Sequence, residues 1–256
     1  MKKILIILFL LIATPSFAWT PCMTAVVSSG GAASADPCGC PTSTYMFCYT
    51  GDYSGDTDKA CFTNGTAAKD GEEVDTGTNV SITSTSISFT AVDNYVQWAL
   101  SSKDGFDSTA GTIFFSVYIN GGGDVNSNSL IELIYSQATD RLAIQSLDSG
   151  NLVRIAWEDN NGGAVGQDSV AALTENTWYR IGVAWNTVGT DMISVSVVAV
   201  GNATSWVDGN GDEIAPFATE PAYIVVGEKA STLSTPDACQ IKDIIILNTY
   251  KGTDPF

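Results

Sequence analysis

Three kinds of side chain in this 256-residue chain could do chemistry: its carboxylates, tryptophans and cysteines. Histidine is absent. That removes Ser-His-Asp and Cys-His catalysis, histidine-ligated zinc and imidazole pH switching together. Acidic residues number 28 against 11 basic ones, a formal net charge of −17. Such a field repels phosphate and anionic headgroups, so recognition of nucleic acid through a basic footprint is excluded.

With so many carboxylates, position matters more than number. In VDGNGDE, Asp208, Asn210 and Asp212 alternate along a glycine-relaxed loop. Oxygen donors at i, i+2 and i+4 can converge on Ca²⁺, the one cofactor the sequence suggests. The loop is not an EF-hand, because Glu213 stands where the sixth-position glycine belongs, and the same residues also make ordinary turns. Asp52, Asp56 and Asp58 in GDYSGDTDK form a second, poorer set.

A sugar site sets an aromatic face beside hydroxyl-reading groups. Trp157 ends the run LVRIAWE and is followed by Asp159, Asn160 and Asn161, while Trp206 lies in a polar loop beside Asp208. These five are the candidate carbohydrate-binding residues, although turn chemistry also explains both loops. Trp98, Trp178 and Trp185 fall in strand-like runs and read as core. Arg141, Arg154 and Arg180 read as outward strand positions. A glycosidase needs two carboxylates about 5–10 Å apart across the sugar. Glu132 and Glu158 belong to no catalytic string, and the chain is expected not to be an enzyme.

Residues 1–18 have the three parts of an export signal: Lys2 and Lys3, an apolar run over 4–12, and Ser16-Phe17-Ala18 before a cut at Trp19. The apolar run is about half of what spans a bilayer, so the mature protein is expected to be secreted, with no membrane insertion. Export makes disulfides of the six cysteines, Cys22, Cys38, Cys40, Cys48, Cys61 and Cys239. Cys38-Gly-Cys40 lacks the gap of a zinc knuckle. Five cysteines crowd before residue 62 and one stands far away. If all pair, Cys239 must therefore bridge to the N-terminal region, with Cys48 or Cys61 as the expected partner.

The elements that position these residues are strands. Residues 19–43 form an irregular leader, TYMFCYT is a first short strand, and 51–81 read as a long polar connection. From Ser86 onward, short alternating runs are separated by Gly, Asn, Asp and Ser clusters. Ile113, Phe115, Val117 and Ile119 share one face of TIFFSVYI, as do Ile181, Val183 and Trp185 in the run starting at Trp178. Period-2 burial over some ten strands without an amphipathic helix predicts an all-β protein of two antiparallel sheets.

The order of these strands resembles the concanavalin A-like lectin/glucanase superfamily, especially its laminin G-like jelly rolls. DNYVQWAL and GTIFFSVYI are similar to the "DYV" and "GT-I-F-W-V" strands of those domains. LTENTWYRIGVAWN is similar to their "NTWYHVAVTWD" strand, and AYIVVGE with QIKDIIILN to their closing strands. The likeness covers residues 86–250. It departs at VAVGNATSW, which has no Asp-Gly hairpin before Asp208-Gly209, and in lacking the Glu-x-Asp-x-Glu string of the glucanases. The resemblance implies a jelly-roll β-sandwich over 86–256, preceded by a disulfide-rich segment over 19–85. It further implies a secreted, lectin-like carbohydrate-binding or adhesion module, with polysaccharide or glycoconjugate as partner. The alternatives are a polysaccharide-acting glycosidase or lyase, and a surface or virion component that binds no sugar.

Overall fold

The computed structural model describes residues 39–41, 44–51, 57–62, 67–74, 80–90, 94–101, 106, 109–119, 129–135, 140–146, 151–158, 164–188, 193–209, 214, 217, 221–227 and 239–256. All belong to one compact unit, Ser34–Phe256. Among them are seventeen strands and no helix. In chain order the first are β1 (Phe47–Tyr49), β2 (Lys59–Phe62), β3 (Ala67–Asp70), β4 (Glu72–Val74), β5 (Val80–Ile82), β6 (Ile87–Phe89), β7 (Tyr95–Ala99), β8 (Ala110–Ile119) and β9 (Ser129–Ile134). The rest are β10 (Arg141–Ser146), β11 (Leu152–Glu158), β12 (Ala164–Ala172), β13 (Trp178–Asn186), β14 (Ile193–Ala199), β15 (Val207–Asp208), β16 (Tyr223–Gly227) and β17 (Cys239–Leu247).

They form two antiparallel sheets, a β-sandwich. The ten-stranded sheet runs β15-β14-β13-β8-β17-β1-β2-β3, with β6 also pairing β17 and β5 pairing β6. The seven-stranded sheet runs β12-β11-β10-β9-β16-β7-β4. All ten strands expected from Ser86 onward are present, and so is the first strand at TYMFCYT. The expected connection over 51–81 instead carries β2, β3, β4 and β5. These strands are only three or four residues long, too short to show an apolar alternation, and β3, β4 and β5 are edge strands with one neighbour each. Strands before and after residue 85 share both sheets.

Period-2 patterning decides which side chains meet. On β8, Ile113, Phe115, Val117 and Ile119 enter the core between the sheets, with Trp185 and Ile181 from β13 and Ile241, Ile244 and Ile246 from β17. Trp185 fills the space over Gly111 so closely that a Cβ there would lie 2.2 Å from its ring. Glycine at that position is a packing requirement. A second apolar cluster lies on the outer face of the ten-stranded sheet, built from Tyr45, Cys48, Cys61, Phe114, Ile245 and Leu247.

This division corrects the expected cysteine pairing. Cys48 is bonded to Cys40, and Cys61 is disulfide-bonded as well. Cys239 is a buried thiol in the inner core. Cys48 and Cys61 point out of the same sheet on its other side, so the sheet itself separates them from Cys239. Cys22, Cys38 and the expected export signal lie outside the described residues.

Candidate functional site

Side chains on the outer face of the ten-stranded sheet change in character row by row. Directly opposed residues are Trp178, Tyr118 and Gln240 in one row, and Arg180, Ser116 and Lys242 in the next. The third row is Gly182, Phe114, Ile245 and Cys48, part of the apolar cluster. A groove with a cavity volume of about 610 Å³ opens over Trp178 and the second row, rimmed by the turn at Val200–Thr204 and by the C-terminal stretch at Asp254 and Phe256.

Arg180 is the floor of this groove. Its side chain is only 8% exposed, and it donates from Nε and Nη2 to the two carboxylate oxygens of Asp254, at 2.7 and 2.8 Å. Nη1 donates to the Asp243 carbonyl at 2.6 Å and to Ser116 Oγ at 3.3 Å. The Phe256 ring covers the guanidinium, 4.8 Å from its centre. A buried charge is tolerated only when paired and hydrogen-bonded, and both conditions are met here. The Asp243 carbonyl reaches Arg180 because β17 bulges between Lys242 and Ile245, with Asp243 at φ 51°. A non-glycine residue in this left-handed region is uncommon, though Asp is among the types that tolerate it.

Trp178 walls the groove. It is half-buried, packs on Tyr118 with ring centroids 5.4 Å apart, and has Lys242 Nζ 4.8 Å over its ring. Lys242 also meets Asp243 at 3.5 Å. Each of the two cations of the groove thus has a carboxylate partner. An aromatic wall, a fixed ion pair and a rim of Asn202, Thr204 and Thr253 suit a ligand carrying both apolar faces and hydroxyls.

The residues singled out from the sequence lie elsewhere. Trp157 is 2% exposed and stacks on Phe217 at 4.1 Å in the inner core, so it offers no face to a sugar. The alternation of β11 places it with Val153 and Ile155. Asp159, Asn160 and Asn161 lie outside the described residues, as do Asn210 and Asp212. Trp206 is half-buried against Phe114, over Gly182, where a Cβ would lie 3.0 Å from its ring. It caps the outer apolar cluster.

Asp208 is already engaged. Its carboxylate accepts from Lys251 at 2.5 Å and from Ser194 Oγ at 2.7 Å, and these bonds hold it below the ordinary carboxylate value. Burial opposes the Lys251 charge, but the bond to Asp208 and the nearby Tyr250 leave its pKa raised. No group of three or more His, Cys, Asp or Glu able to hold a metal occurs among the described residues.

The sequence reading places Trp178 in the core and Arg180 at a plain outward position; the structure puts both in the groove. The usable signal was parity: with Ile181, Val183 and Trp185 inward, Trp178 and Arg180 must both point out.

The outer face of the seven-stranded sheet is polar too, but packed. Glu132 is fully buried and accepts from Ser129 Oγ at 3.0 Å. Arg141 pairs with Glu158 at 2.8 Å, and Gln97 donates to Glu72.

No protein-family model matches the sequence, and no curated protein matches it. Solved structures do. Trypanosoma rangeli sialidase, with a bound difluoro-KDN, is 13% identical with a TM-score of 0.55, over 83% of this chain and 31% of that one. The receptor-binding domain of botulinum neurotoxin D is 13% identical at 0.53, over 86% of this chain and 51% of that one. The corresponding domain of the C/D mosaic serotype is 13% identical at 0.57, over 83% and 49%. The chain thus spans about a third of the sialidase and about half of the toxin domains. Likeness at this identity shows the fold, an all-β sandwich. It also corrects the expectation that the chain is not an enzyme. Sialidases recur among the similar structures, so this sandwich occurs within enzymes and the missing catalytic string does not exclude catalysis.

Proposed function

We propose that this chain is an exported carbohydrate-binding protein whose groove over Trp178 and Arg180 takes a polysaccharide or glycoconjugate. The observation that carries the reading is the pairing of a half-buried tryptophan wall with a rigidly held Arg180–Asp254 floor. The tryptophan supplies an apolar face for a sugar ring, and the fixed polar groups give orientation at low entropic cost. Export is supported by the disulfides and by the signal-like residues 1–18. The strand motifs that resemble laminin G-like domains point the same way. So do the similar proteins, a sialidase solved with sialic acid and a toxin's receptor-binding domain. The test is a glycan and polysaccharide array probed with the oxidised, exported protein and with Trp178→Ala. The reading expects glycan binding that the variant loses, and it fails if neither protein binds.

A second reading, an enzyme acting on carbohydrate, is supported by the sialidases among the similar structures. Release of reducing ends from a polysaccharide by the oxidised, exported protein would establish it.

A further inference from the structure

The Trp178 row does not stop at the groove. Cross-strand register continues it from Trp178 on β13 through Tyr118 on β8 and Gln240 on β17 to Ser88 on β6 and Ser81 on β5. All five project from the outer face, since their strand neighbours Val117, Ile119, Ile241, Ile87 and Phe89 fill the inner core. None of the five is fully buried. Strands about 4.8 Å apart make this row span about 19 Å, the reach of roughly four sugar rings laid end to end.

The chemistry along the row is graded. Two aromatic rings in contact stand at one end. Next is Gln240, whose Oε1 accepts from Ser86 Oγ at 3.4 Å. Two hydroxyls follow, and Ser86 Oγ lies 3.4 Å from that of Ser88. No carboxylate falls on the row, although the chain carries 28 acidic residues. Outward positions of a sheet in so acidic a protein are ordinary places for charge. The five side chains of the row carry no charge of their own, although Lys242 Nζ lies over the Trp178 ring at its groove end, and rings, amide and hydroxyls match the alternating C–H faces and hydroxyls of uncharged sugars.

Resting on the carbohydrate-binding reading, we infer that the site binds a neutral, linear polysaccharide lying across the strands from the groove to β5, and not a single terminal sugar. Each ring beyond the groove adds contacts to Gln240 and then to Ser88 and Ser81.

The experiment is calorimetric titration of the oxidised, exported protein with cello-, xylo-, manno- and laminari-oligosaccharides of increasing length, and with alginate oligomers as the anionic counterpart. At least one neutral series should bind, with affinity rising up to about four sugars and then levelling. Gln240→Ala and Ser88→Ala should each weaken the four-sugar ligand about two- to tenfold, the worth of one hydrogen bond, and leave the two-sugar ligand unchanged. Length-independent binding, or a preference for alginate, would overturn the inference while leaving the carbohydrate-binding reading in place. Binding to none of these series overturns it too, and if the glycan array is also blank, the reading beneath it falls as well.

Discussion

Arg180 and Arg154 each grip an aspartate through two nitrogens, on the outer faces of the two sheets, yet they stand in opposite circumstances. Arg154 and Asp168 face each other across β11 and β12 with side chains 42% and 37% exposed. The bond to Asp168 raises the Arg154 pKa against a smaller cost of burial. Arg180 and Asp254 are 8% and 14% exposed, and Arg180 has further bonds to Asp243 and Ser116 and a ring over it. Water solvates the first pair with or without its partner. For the second, the protein supplies most contacts, which makes it a fixed part of the groove floor.

The largest effect expected from this contrast is at Asp254. Asp254→Ala leaves a buried guanidinium without its counter-charge and should destabilise by about 3–5 kcal/mol in urea unfolding. A loss below about 1 kcal/mol would mean that the floor is not rigid. The double change Arg180→Met with Asp254→Leu removes both charges and should recover most of that stability, because the pair's desolvation cost goes with it. Glycan binding should stay weak in the double variant even though the fold returns. Asp168→Ala is the control on the other sheet, and its expected cost is within about 1 kcal/mol.

The smallest effect is in pH dependence. Asp208 is held below its ordinary value by Lys251 and Ser194, so its contribution is present above the unfolded carboxylate value and fades as pH drops through the folded one. The pair is substantially exposed, so this acid-side loss should be a few tenths of a kcal/mol, and smaller in Lys251→Met, where the Ser194 bond remains. An acid-side loss of equal size in both proteins would show that the bond contributes nothing.

Much of the fold was legible because burial follows period two: every alternating run after Ser86 became a strand. β12 carries no strand signal, since its sequence, AVGQDSVAA, has little apolar alternation. It is an edge strand with Val170 79% exposed and Ser169 donating to the Ala171 carbonyl inside. The site was less legible. Alternation could assign Trp178, Tyr118 and Gln240 to outer faces one strand at a time, but it says nothing of which strands become neighbours. That register, set by β8 pairing with both β13 and β17, turns three separate outward residues into one surface. The cysteines failed for the related reason that parity within a strand does not reveal which sheet face it faces. The Arg180–Asp254 pair joins residues 74 apart, beyond any local pattern.

The measurement that bears most directly on the central claim is the affinity of the oxidised protein for its best glycan or polysaccharide on the array, compared with Trp178→Ala. Removing the indole from the groove wall should cost at least about tenfold in affinity, near 1.4 kcal/mol, with the unfolding midpoint almost unchanged. Equal affinity in the two proteins would contradict the account and place the binding surface away from the ten-stranded sheet.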